Sequence, residues 1–401
     1  MAVTASSFAN LHKIVYKGKD INAVPQSSVL QKLFPLEKDK IGASLDVPVQ
    51  MKNSHGATYT GNALVTLNAD APAVFAKASI VGYELILRDY LKSKDASTMV
   101  SSEQAYRKGT AQIFKNLLAA HSLRVELGML YGQSAAGIGE VSANSSGVLT
   151  ITLASWIPFI WPALLGATLE AFTSGGTQHN GDLVVSNYSI SARTVTVTGT
   201  NAAVVAGDLL FLKGSRSADL IGIDKIATNS GSLFGINAAT YPLWGGSSYS
   251  AGSAALTRQK VLAAAAVSAQ AGSSEDLYLL CSISTAMNLA DQESVLVSHA
   301  GKDSEKVNGA EYLSYLSPTG GKVKVIPVPV CKEGEAFLVG AEEMKCFGNS
   351  EVKVESVGVE DCNPFFYDND TNSWQYRSYS DLTMFTEVPA HVVKIVGIIN
   401  S

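Results

Sequence analysis

From Ser97 to Tyr131 the chain reads STMVSSEQAYRKGTAQIFKNLLAAHSLRVELGMLY, without a proline. Tyr106, Ile113, Leu117, Ala120 and Leu127 fall on one helical stripe, with Phe114, Leu118, Val125 and Met129 on the adjacent one. Ser101 or Ser102 can cap the start, and Gly132 can stop the end. At the usual rise such a helix is about 50 Å long, far above the common length. A rod of that size needs partners along it, so the fold must be built around it as a spine.

Strand patterns flank the spine on both sides. Before it, IGASLDVPVQMKN and AVFAKASIVGYELILRDYL read as two extended segments, with Leu45, Val47 and Val49 alternating against Asp46, Pro48 and Gln50. Between them lies SHGATYTGNALVTLNADAP, polar and glycine-bearing. Two long strands with a poorly buried tip predict a projecting hairpin, which is marginal alone and needs a neighbour. After the spine, residues 175–213 read as short alternating strands with turn signals at Asn201 and at Gly207-Asp208, a small inserted β-subdomain. TRQKVLAAAAVSAQAGSS then predicts a helix, DLYLLCS a strand and SISTAMNLADQES a second helix. KVKVIPVPVC, AFLVGAEEMKCFG, VKVESVGVE, SWQYRSYSDLTMFTEV and HVVKIVGIIN are β again. Strands from both chain ends that bracket one helix imply that the termini return to one sheet.

Composition narrows the function. The 401 residues suffice for two or three domains. Only 16 % are charged, against about a quarter in an ordinary globular domain. Proteins that hide much of their surface in permanent contacts need few charges, which points toward assembly. A net charge of −5 argues against a basic face that coats nucleic acid. The first 40 residues are the local exception: Lys13, Lys17, Lys19, Lys32, Lys38 and Lys40 outnumber Asp20, Glu37 and Asp39, giving a solvated arm or one that touches a polyanion or acidic neighbour. Val148–Phe172 is the most membrane-like stretch, but Pro158 and Pro162 interrupt it, and no span is expected. No apolar leader opens the chain, and Cys281, Cys331, Cys346 and Cys362 have no ligand spacing, as expected in a reducing cytosol.

Enzyme motifs are missing: there is no GxSxG, HExxH, Walker loop or complete GxGxxG. DNDTNS, Asp368 to Ser373, lacks the glycine and distal Glu of a calcium loop and reads as an acidic turn between strands. Histidines 12, 55, 121, 179, 299 and 391 are too scattered to suggest a triad or metal site. No metal and no cofactor are expected. One stretch obeys no periodicity: GSLFGINAATYPLW, Gly231 to Trp244, carries Phe234, Tyr241 and Trp244 on glycines and a proline. It is either a buried loop of the chain's own core or a contact with another copy.

The order of arm, long hairpin, spine helix, mixed α/β domain and returning C-terminal strands resembles the major capsid proteins of tailed bacteriophages, the Hong Kong 97 fold. ASWIPFIWPALLGATLEAF is similar to the segment after their spine helix. VTVTGTNAAVVAGDLLFLKGSRSADLIGIDKIATNSGSLFGINAATYPLW is similar to their AGD strand and later TYPLW-like stretch, and EDLYLLCSISTAMNLAD to the strand and helix of their apical domain. The resemblance implies an α+β fold with an N-terminal arm (1–40), an extended β-hairpin (41–92), a peripheral domain with the spine helix (93–150), a connecting segment (151–174), an inserted β-subdomain (175–215), an apical domain (216–345) and C-terminal strands returning to the peripheral domain (346–401).

What the resemblance implies for function is mechanical. Copies would form pentamers and hexamers of an icosahedral shell in the virion, assembled in the host cytoplasm around double-stranded DNA contacted without sequence reading. Scaffolding and portal proteins would be the other partners; some family members carry a long N-terminal scaffolding segment, and since none is read before the arm, either the scaffold is a separate protein or this is not the full precursor. A tail-tube or decoration protein is the alternative, against which the spine helix counts. Candidate intersubunit contacts are Lys13, Lys17, Lys52, His55, Tyr59, Phe234, Tyr241 and Trp244. One family member joins neighbours by a Lys–Asn isopeptide bond assisted by a carboxylate. By that likeness Lys52 would be a donor and Asn349 or Asn363 an acceptor, although lysines at tips are usually just solvated.

Overall fold

The computed structural model describes residues 24–37, 41–61, 65–92, 103–179, 181–294, 320–354 and 373–400, with short pieces between 306 and 317 and at 365–368. A short helix α1 (Val29–Leu33) precedes strands β1 (Leu45–Lys52), β2 (Val74–Ile80) and β3 (Tyr83–Lys92). The spine is α2 (Glu103–Tyr131), 29 residues long. Its caps Ser101 and Ser102 lie outside the described residues. The expected apolar stripe gives way, in the second half of the helix, to burial on every side: Val125, Glu126, Leu127, Met129, Leu130 and Tyr131 are all buried. A single stripe describes a helix lying on one surface, whereas this one is enclosed.

What encloses it first is a barrel. Strands β4 (Gly139–Ser145), β5 (Val148–Ile151), β6 (Thr168–Phe172), β7 (Leu183–Ser189), β8 (Thr194–Gly199) and β9 (Leu209–Leu212) close in the order β4-β5-β8-β7-β6-β9. Alternate residues Val141, Leu149, Ile151, Leu169, Val185, Val195, Val197 and Leu210 fill its interior. The expected limits of 175–215 take in only β7, β8 and β9; the sheet needs β4, β5 and β6 from the stretches assigned to the peripheral domain and connecting segment. Those strands are short and separated by Trp156–Leu165, so local pattern did not join them to the later run. Val148–Phe172 becomes β5, two 3-10 turns (Leu153–Ser155 and Trp161–Leu164) and β6, with Trp156 and Trp161 stacked at 5.9 Å. Pro158 and Pro162 deny it a helix. Among the described residues no helix is long and apolar enough to cross a membrane.

The barrel enters and leaves the body at one point. After it come α3 (Ser215–Ala218), α4 (Ile223–Ala227) and a small hairpin of β10 (Ser232–Leu233) and β11 (Ile236–Asn237). The Gly222 N–H donates to the Gly132 carbonyl at 3.0 Å, closing a neck between the end of the spine and the returning chain. Contact here is backbone on backbone. A Cβ on Gly132 would lie 2.1 Å from the Leu220 carbonyl oxygen, and one on Gly222 2.6 Å from that of Gly128. Gly132 therefore both stops the helix and admits the neighbouring chain.

Two sheets complete the body. β12 (Ser247–Ala254), helix α5 (Arg258–Gln270), β13 (Leu277–Cys281), helix α6 (Ile283–Ser294), β14 (Lys306–Val307), β15 (Ala310–Glu311), β16 (Ser314–Leu316), β17 (Lys322–Pro327), β18 (Glu335–Gly340), β19 (Met344–Lys353), β20 (Phe365–Asp368), β21 (Ser373–Thr386) and β22 (Val393–Ile398) follow in sequence. The mixed six-stranded sheet runs β12-β22-β18-β13-β17-β16. Leu277, Leu279, Val323, Val325, Leu338 and Ile395 join one core cluster with Val261, Ala264 and Ala265 of α5 and Leu289 of α6. Leu280, Ile326, Phe337 and Val339 join the cluster containing the spine and barrel. Burial on both faces explains the near-continuous apolar runs of these strands.

In the other sheet β21 pairs with β3, β19 and β20. The C-terminal strands thus divide: β19 to β21 pair beside the spine, whereas β22 enters the six-stranded sheet between β12 and β18. Residues 24–37, inside the expected arm, are packed, with Leu30 and Phe34 buried. Glu126 of the spine caps α1, accepting from the Leu30 N–H at 2.9 Å, the Gln31 N–H at 3.3 Å and the Ser27 hydroxyl at 3.1 Å. Burial still pushes its carboxyl pKa up.

Gly132→Ala is expected to destabilise the chain by about 3 kcal/mol in urea unfolding, since the new methyl meets fixed backbone. Gly231→Ala, where a Cβ meets nothing within 4 Å, is expected to change it by less than about 0.5 kcal/mol.

Candidate assembly surface

The hairpin of β1 and β2 is antiparallel, in register from Leu45 opposite Ile80 to Gln50 opposite Phe75. The second extended segment of the sequence is two strands: after Ile80 the chain turns at Val81-Gly82 and β3 leaves to pair with β21. The root is fixed. Ala78 and Ile80 are fully buried, and the Ser79 N–H donates to the Phe234 carbonyl at 2.9 Å. Asp46 accepts from the Ser79 hydroxyl and from Lys77 Nζ at 2.9 Å, and these bonds, the Ser79 one first, pull its pKa down.

The loop that grips this root is Gly231–Trp244. The Trp244 indole N–H donates to the Leu233 carbonyl at 2.8 Å, and Asn229 Nδ2 to the Trp244 carbonyl at 2.7 Å. Phe234 takes φ of +51° beside Gly235 at +83°, and its ring meets Phe385 edge-on at 5.2 Å. Phe234 and Trp244 are buried in their own chain, which corrects their assignment as intersubunit contacts, while Tyr241 packs half-buried on the same core. They sit between hairpin and spine-side sheet, neither in the six-stranded sheet nor in the barrel. Periodicity gave no hint, because the stretch folds as a hairpin of two-residue strands, Ser232–Leu233 against Ile236–Asn237, and a 3-10 turn at Pro242–Trp244, elements too short to leave a repeat.

Beyond the root the tip is not covered by any of the described residues. It keeps its shape through the His55 N–H to the Ala71 carbonyl, and through Asn68, whose N–H reaches Thr58 Oγ1 and whose side chain reaches the Ala57 carbonyl, each at 2.8 Å. Lys52 and His55 are exposed. Tyr59 is 94 % exposed, Leu67 80 % and Phe75 65 %. Sequence reading selected Tyr59 but missed Leu67 and Phe75, because only the folded hairpin shows which apolar side chains lack a neighbour. Lys13 and Lys17 lie outside the described residues, as do Asn363 and Cys362. Asn349 is engaged within the chain: Nδ2 donates to Asp381 at 2.6 Å and to the Gly42 carbonyl at 3.3 Å, and Oδ1 accepts from the Gly42 N–H at 3.0 Å.

Chemistry elsewhere is subdued. Burial pushes the Cys281 and Cys346 thiols up to about 12 and the Cys331 thiol well above its usual range, so these are inert core groups. Among the described residues no group of three or more His, Cys, Asp and Glu side chains could hold a metal ion. The acidic stretch at 368–373 joins β20 to β21, where Asp368 pairs with Ser373.

No family model and no curated protein sequence matches the chain. Solved structures do match. The capsid asymmetric unit of cyanophage A-1(L) superposes with a TM-score of 0.60 at 10 % identity, over 99 % of both chains. The capsid of cyanophage P-SCSP1u superposes with a TM-score of 0.50 at 10 % identity, over 98 % of this chain and 94 % of that one. This is the tailed-phage capsid fold. It is α+β and strand-rich, and the likeness runs from end to end while the sequences have diverged almost completely. In this capsid fold the spine meets its sheet through polar contacts as well as apolar ones. His121, fully buried on α2, bonds the hydroxyls of Ser378 and Ser380 through its two ring nitrogens, each at 2.7 Å.

Burial, with the Arg124 charge nearby, lowers the His121 pKa from 6.5 to about 4. The unfolded chain then binds the extra proton first, so this contribution to stability is full above pH 6.5 and fades as pH falls toward 4. The drop amounts to about 3 kcal/mol. Urea midpoints of wild type and His121→Asn, compared from pH 7 to pH 4, should converge as the solution is acidified.

Proposed function

We propose that this chain is a major capsid protein, whose copies assemble as pentamers and hexamers into an icosahedral shell around double-stranded DNA. The observation that carries the reading is the capsid fold over the whole chain, supported by a hairpin whose tip none of the described residues covers. A shell subunit must form nearly the same contacts in slightly different settings, with complementary interfaces in preference to very strong ones. A rigid root and an uncovered tip suit that task. The body keeps its shape while the hairpin meets a neighbour.

The interface residues we propose are Lys52, His55, Tyr59, Leu67 and Phe75 of the hairpin, with Lys13 and Lys17 of the arm. Exposed aromatic and aliphatic side chains supply area, and the lysines supply charge at its rim. Enclosed DNA would face a wall of net negative charge, so contact with it would be sparse, non-specific and confined to basic segments such as the arm. Scaffolding and portal proteins complete the proposed partners, in a virion assembled in the host cytoplasm.

Negative-stain electron microscopy beside size-exclusion chromatography tests the reading. Shells or capsomer rings are expected from the purified chain or from its co-expression with a scaffold encoded nearby. A persistent monomer under both conditions would count against it. Tyr59→Ser combined with Leu67→Ser should cut particle yield at least tenfold while leaving the urea midpoint of the unassembled chain unchanged, since neither side chain packs within it.

A further inference from the structure

Between the start of β3, the middle of the spine and the chain leaving the barrel lies a cavity of about 190 Å3. Tyr83, Arg124, Lys213, Ser215 and Asp219 are among its lining residues. Arg124 is half-buried, and burial lowers its pKa in spite of the Asp219 charge. Among the described residues its guanidinium has no hydrogen-bond partner and no carboxylate within 4.0 Å. The Tyr83 and Ser215 hydroxyls likewise have none. Asp219 spends one oxygen on the Leu220 N–H at 2.8 Å, and burial pushes its own pKa up to about 6. These donors are unspent and still reached by solvent, so an acceptor arriving from outside the chain can meet them.

We propose that this cavity receives a carboxylate side chain from a second copy of the chain, with Arg124 as the ion-pair partner and Tyr83 and Ser215 as further donors. The inference rests on the shell reading and adds a specific anchor to it. Three observations favour this occupant. A planar monoanion matches the guanidinium fork, which pairs best with two parallel N–H···O bonds. Glu84 and Asp219, also at the cavity, repel a small multiply charged anion, but a carboxylate delivered on a docked chain arrives at high effective concentration. Tyr83 lies only three residues beyond Ile80, so the cavity opens beside the root of the hairpin proposed to meet a neighbour. Lys213 contributes less, since its ammonium is held by Asp182 at 2.5 Å.

The test uses the full chain and the variants Arg124→Met and Arg124→Lys. Sedimentation velocity measures self-association at any size, thermal unfolding of the dilute chain measures folding, and electron microscopy separately reports closed shells. The expected result is a roughly tenfold weaker self-association for Arg124→Met, equivalent to about 1.4 kcal/mol, a smaller loss for Arg124→Lys, and an unchanged or higher melting temperature. Arg124-dependent self-association that forms neither capsomer rings nor shells would sink the shell reading and leave this inference standing. Unchanged self-association of Arg124→Met would overturn the inference, as would a melting temperature that falls in step with association, which marks a structural ion pair. A wild-type chain stabilised by millimolar formate, with association indifferent to Arg124, would also overturn it, because the cavity would then take a small anion only.

Discussion

The architecture depends on one close approach of backbone to backbone. At the end of the spine, Gly132 and Gly222 let the chain that leaves for the barrel and the chain that returns from it lie against each other, with Leu220 and Gly128 completing the contact. Side chains at these positions would hold the two segments apart, and the barrel could not be carried as an insertion with a closed base. Everything after residue 222 then starts from the same place where the helix stopped. The six-stranded sheet, the barrel and the spine consequently share one apolar cluster, and no separate linker divides them.

Around this junction the buried charges are arranged in partnered groups. Lys394 of β22 bonds Asp224 of α4 at 2.6 Å and Glu335 of β18 at 2.8 Å, tying the six-stranded sheet to the turn just beyond the neck. Removing one member would strand the others in the interior, which costs more than the net worth of the group. Glu126 and His121 act in the same way on the spine itself, one capping α1 and the other joining the helix to β21. Each links segments far apart in sequence, so the body is held by geometry as well as by apolar area. Arg124 is the contrast, a cation on the same helix that lines a cavity and has no such partner among the described residues.

The hairpin divides sharply into a held root and an open tip. The Gly231–Trp244 loop explains the division: its aromatics and carbonyls are spent on fixing Ser79 and Phe385, and none of the described residues covers Tyr59 or Leu67. Phe234 and Gly235, both at positive φ, form the two-residue turn between Ser232–Leu233 and Ile236–Asn237, and that turn presents the Phe234 carbonyl to β2.

Several features were legible in the sequence because they depend on local spacing. The spine and its stop at Gly132, the extended segments at 45–52 and 74–92, the α5, β13, α6 succession and the order of elements that resembles a capsid protein all follow from periodicity and turn chemistry. Tertiary structure alone decided the rest. It joined β4, β5 and β6 to the barrel, sent β22 to a different sheet from β21, buried the end of the spine on every side, and placed Phe234 and Trp244 in their own chain's core. Pairing between distant strands and the covering of one side chain by another are contacts between remote residues, and spacing along the chain carries no record of them.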